Sequence, residues 1–67
     1  MPKRQEALDL LVEQMKLLAA QGLSINVICQ RLIPASLAAI HAGCRMSEIE
    51  EVLLRTFTNL VDEGELD

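Results

Sequence analysis

The chain of 67 residues reads as a small all-α domain of four helices, three long and one short, in an orthogonal or bundle-like packing that dimerisation completes. Three observations lead there. Apolar residues recur at helical spacing through both ends of the chain, and no strand-like alternation appears anywhere. Gly22, Gly43 and Gly64 fall where such helices should stop. Half of the residues are apolar, yet a domain this short hides only about 60% of the surface its unfolded chain exposes. Some of that apolar surface is therefore expected to be shared with a second chain.

The first helix is expected over residues 3–21. Pro2 suits its start, because a proline at the first helical position has no N–H to leave unpaired. Leu8, Leu11, Val12, Met15, Leu18 and Ala19 project as one face. Leu10 and Leu17, seven residues apart, project off it, so this helix should be covered on two sides. Gly22 closes it. Ser24 has the chemistry to cap the second helix, 24–33, and Leu23 and Ile28 have the spacing of a hydrophobic staple. Pro34 cannot donate to the carbonyl four residues back and disfavours helical geometry at Ile33, which predicts a break at 33/34.

A short third helix of small residues follows over 35–42, with Leu37 and Ile40 as its large members. The whole stretch 32–44 carries no formal charge and is fenced by Arg31 and Arg45. It reads as a buried hub for the rest of the chain. Ser47-Glu48-Ile49-Glu50 has the pattern of a capping box and starts a fourth helix over 47–63. Ile49, Val52, Leu53, Phe57 and Leu60 form its main face, while Leu54 and Val61 repeat the off-face pair at heptad spacing. Glu51 and Arg55 can pair across one turn. Residues 64–67 are expected to fray. Residues 1–67 make a single domain.

Charge and composition narrow the function. Net charge is −4, and the seven acids Glu48, Glu50, Glu51, Asp62, Glu63, Glu65 and Asp67 face only Arg55 in the last twenty residues. That segment repels phosphate and anionic lipid and invites a basic partner. Phe57 is the only aromatic residue, so the stacking platforms of single-strand binders are missing. No run of eighteen apolar residues exists, which excludes a transmembrane helix and disfavours any membrane partner. The start Met-Pro-Lys-Arg leads into a polar helical pattern rather than a signal peptide, which predicts a cytoplasmic protein with Cys29 and Cys44 as buried free thiols.

His41, Cys44 and Cys29 are too few and too irregularly spaced for a structural zinc site, and no group is placed to activate a cysteine nucleophile. No phosphate-cradling glycine loop is present. The expected protein is therefore not an enzyme, with no catalytic residue, metal or cofactor. The leading expectation is a homodimer that binds another, basic protein as adaptor, inhibitor or regulatory subunit. Leu10, Leu17, Leu54 and Val61 are its expected dimer contacts, and Glu48, Glu51, Arg55 and Asp62 its partner contacts.

A rival reading is a dimeric helix-turn-helix DNA-binding transcriptional regulator, from the spacing of Ala39, Gly43, Ile49 and Val52, with Lys3 and Arg4 as a phosphate-contacting arm. Its recognition helix would open on Glu48, Glu50 and Glu51. Those carboxylates oppose the electrostatic term on which DNA affinity rests, so a nucleic-acid partner is disfavoured.

Overall fold

The structure, a computed structural model that describes residues 3–64, contains α1 (Lys3–Ala20), α2 (Ile25–Arg31), α3 (Ile33–His41) and α4 (Met46–Asp62), with no strand among the described residues. Pro2 and residues 65–67, on which the expected helix start and most of the expected frayed tail fall, lie outside that range. The molecule measures 34 × 19 × 17 Å, about two helix diameters in cross-section. α1 packs against each of the other three helices, chiefly α4 and α3.

The main apolar face of α1 supplies the middle of the core. Leu11 and Met15 are fully enclosed, joined by Leu18 and Ala19, and they meet Ile28, Leu32, Ala39, Cys44, Ile49 and Leu60. Around this centre Leu8, Leu23, Leu53 and Phe57 are partly buried. Leu10 and Leu17 remain 44% and 57% exposed, so within one chain α1 is covered on one side only.

Local signals set the ends of the helices. α1 ends through Gly22 at φ +80°, whose N–H bonds the Ala19 carbonyl. Ser24 caps α2, its Oγ accepting from the Val27 N–H at 3.4 Å. α3 ends in a paired arrangement at Gly43, φ +102°. There the Gly43 N–H bonds the Ile40 carbonyl, and the Cys44 N–H reaches back to Ala39. Only a residue without Cβ takes that backbone conformation freely, and the turn drops Cys44 into the core beside Ala39.

Three expectations are corrected here. The break between α2 and α3 falls at Leu32, before Ile33 rather than after it. A proline is tolerated in the first turn of a helix, so Pro34 lies inside α3. Leu32 is 2% exposed and anchors the joint, donating back to Ile28 and accepting from the Ser36 N–H at 2.8 Å. Second, α4 begins one residue before Ser47. Its N-cap is Arg45, and Glu48 accepts from the Arg45 N–H at 2.9 Å. The guanidinium has no acceptor to offer in return, so only the carboxylate half of a capping box forms.

Third, the stretch 32–44 is not a buried hub. Leu32 and Cys44 at its ends are buried, but between them only Ala39 is buried; Ala35 and Ala42 are half-buried, while Ile33, Leu37, Ala38 and Ile40 face out. With only Ser36 and His41 polar, α3 has no continuous polar side to mark its outer surface, so hydrophobicity alone did not orient it.

Burial differs sharply between neighbours on α4, where Leu60 is 1% exposed and Asn59 is open to solvent. Leu60→Ala should cost about 2–5 kcal/mol in urea unfolding, against less than about 0.5 kcal/mol for Asn59→Ala. Equal effects would mean that the face of α4 is wrongly assigned.

Candidate functional site

Two surface features could bind a partner: a groove between α1 and α4, and the apolar faces that the fold leaves outside. The groove encloses about 440 Å³. Its floor is mainly apolar, made by Leu8 and Val12 from α1 and Val52 and Leu60 from α4, with the buried Thr56 among them. Its rim is polar, with Gln5, Asp9 and Lys16 on one side and Glu48, Glu51, Arg55, Asn59 and Glu63 on the other. An apolar floor with a mostly acidic rim suits an amphipathic segment with basic flanks.

At one end of this groove Arg4 ties the N-terminus of α1 to the α3–α4 corner. Its Nη2 lies 2.7 Å from both oxygens of Glu48. Its aliphatic stem passes over Gly43, where an added Cβ would meet the Arg4 Cγ and Cδ at 3.6 Å. Its own carbonyl accepts from the Cys44 thiol at 3.5 Å. Glu48 therefore serves two elements at once, capping α4 while it holds α1. The Arg45 backbone N–H, with the Arg4 guanidinium beside it, keeps the Glu48 carboxyl below its ordinary range, and the Glu48 carboxylate in turn raises Arg4. Both side chains are substantially solvent-exposed, so this pair fixes geometry more than it adds stability.

The four expected partner contacts fare differently. Glu48, Glu51 and Arg55 line the groove, and Asp62, on the last turn of α4, does not. Glu48 is engaged by Arg4, and Arg55 donates to Glu51 across one turn. Sequence reasoning missed Gln5, Asp9, Lys16, Asn59 and Glu63 because the groove arises only when α1 lies beside α4. Gln5 and Asp9 are themselves linked, the Gln5 amide donating to Asp9 at 2.9 Å. Arg4, expected in a free phosphate-contacting arm, is occupied within the fold.

The four expected dimer contacts are all outside: Leu10 and Leu17 on α1, and Leu54 and Val61 on α4, are between 44% and 68% exposed. Ile25, Ile33, Leu37, Ile40 and Met46 join them. Of the two thiols, Cys44 is buried as expected and Cys29 is exposed, a correction that follows from Ile28 and Leu32 taking the inner side of α2. Among the described residues no three His, Cys, Asp or Glu side chains are grouped to hold a metal ion, and no helix is long and apolar enough to cross a membrane.

The corner from Ala39 through Gly43 to Ile49 does turn as the helix-turn-helix spacing implies, with Ala39 and Ile49 buried and Val52 half-buried. The first turns of α4 nonetheless present carboxylates outward, Glu50 and Glu51 both being exposed. The chain matches no protein-family description, no curated protein and no solved structure with which it was compared.

Linkage at Glu48 gives a pH signature. Its carboxyl is lowered in the folded state, so its contribution is complete above the ordinary glutamate range and is lost as pH falls through the lower folded value. The urea midpoints of wild type and Glu48→Gln should thus differ most near neutrality and converge below about pH 4. A gap that stays constant with pH would refute this role for Glu48.

Proposed function

We propose that this chain is a non-catalytic protein-binding module that works as a homodimer, an adaptor, inhibitor or regulatory subunit of a protein with a basic docking segment. One observation carries the reading: nine large aliphatic side chains, drawn from all four helices, are more than 40% exposed. Scattered apolar residues are normal on any surface. Here they recur at helical spacing along single faces, Leu10 with Leu17, Ile33 with Leu37 and Ile40, and Leu54 with Val61. Repeated faces of this kind mark contact with other chains.

The acidic rim of the α1–α4 groove supports a basic partner. With Glu48 neutralised by Arg4 and Glu51 by Arg55, Asp9 and Glu63 stand there against Lys16 alone, an excess of one carboxylate. Such a rim would steer a cationic helix toward the apolar floor and weaken its hold as salt rises. With the partner unidentified, the dimer is the part of this reading that can be tested first.

Sedimentation equilibrium at micromolar concentration should return twice the chain mass of 7.4 kDa. A stable, soluble monomer across that range would end the homodimer proposal.

A further inference from the structure

We propose that the second copy seats on the outer face of α3, through Ile33, Leu37 and Ile40, and not on the seams of α1 or α4. This rests on the homodimer reading and names its contact. The argument begins with the inversion in α3. Ala39 is fully buried and Ala35 and Ala42 half-buried, whereas Ile33, Leu37 and Ile40 are 55%, 52% and 42% exposed. With 3.6 residues per turn, Leu37 lies roughly 160° round the helix from Ala39, so its side chain sits nearly opposite the protomer's core. A helix that turns alanines inward at positions 35 and 39 and presents all three of its largest aliphatic side chains, with Ala38 beside them, is arranged for a second apolar surface on its outer side.

Charge decides between the available faces. Each copy carries a net charge of −4, so two copies repel unless they meet where carboxylates are scarce. Leu10 and Leu17 have Glu6 and Glu13 within one turn of them on α1, with Lys16 the cation beside Leu17, and Leu54 has Glu50 and Glu51 on α4 against Arg55, so acids outnumber cations along both seams. A two-fold contact through either seam would gather like charges from both copies at its border. From Leu32 to Cys44 there is no formal charge, and the charges nearest in sequence are the cations Arg31 and Arg45. The outer face of α3 is thus the apolar surface on which an acidic chain meets itself at least electrostatic cost.

The small inner residues favour the same arrangement. Ala35, Ala39 and Ala42 let α3 lie close against its own protomer, and the outer aliphatic residues form one continuous row at i, i+4 and i+7. In an isologous pair of such helices, the middle residue of the row lies nearest the symmetry axis and Ile33 falls toward Ile40 of the other copy. Leu37 occupies that middle position. The groove between α1 and α4, lined by other residues, then stays open for the basic partner.

The test uses the full chain. Sedimentation equilibrium should show wild type as a dimer, Leu37→Glu as a monomer of unchanged helical circular dichroism, and Leu10→Glu plus Leu17→Glu as a dimer. In a Cys29→Ser background, Leu37→Cys should give a disulfide-linked dimer on mild oxidation, and Leu17→Cys should not. A dimer that survives Leu37→Glu, or that cross-links through Leu17→Cys and not through Leu37→Cys, overturns the α3 contact while leaving the homodimer standing. A monomeric wild type, whether it stays free or moves to phosphatidylcholine vesicles, overturns both.

Discussion

The fold depends on one constraint: a single helix, α1, has to serve as the wall for the three others. A chain of 67 residues has none to spare for a second layer, and Leu11 and Met15 of α1 lie fully enclosed at the centre of the one core. Such a core is one side chain deep. Each interior position is correspondingly costly to alter, and apolar side chains beyond the first ring around α1 have nowhere inside to go. The exposed rows on α1, α3 and α4 follow directly from that shortage of interior.

Much of this was legible along the chain. Gly22 and Gly43 mark real helix ends because a positive φ is a local demand met by a local residue. Ser24 caps α2 for the same reason. The pairs Leu10/Leu17 and Leu54/Val61 were separable from the core faces because each helix has enough polar residues to define its sides. Where local rules competed, tertiary contact chose. Ser47 and Arg45 each have a glutamate three residues on, at Glu50 and Glu48, and serine is much the better cap by itself. Arg4 reaches Glu48 from α1 and not Glu50, which favours the register that begins at Arg45.

α3 was misread for a different reason. Its sequence offers only Ser36 and His41 as polar residues, and they do not mark one face, so volume had to set its orientation. The close approach to α1 admits alanines and excludes isoleucines. The groove was equally invisible, since Gln5, Asp9 and Lys16 acquire a common surface with Asn59 and Glu63 only after α1 and α4 align. Properties of a single helix could be read in advance, whereas properties of a space between two helices could not.

The reach of Arg4 also bears on how the chain closes. Its bonds to Glu48 and Cys44 span 44 and 40 residues, whereas the other side-chain hydrogen bonds among the described residues join positions three or four apart. Loop-closure entropy makes such distant contacts late arrivals in folding, after the local helical hairpins have formed. The N-terminal turn of α1 is then the latch of the domain. Its release would uncover the end of the groove at Gln5 and Glu48 and the Cys44 thiol together.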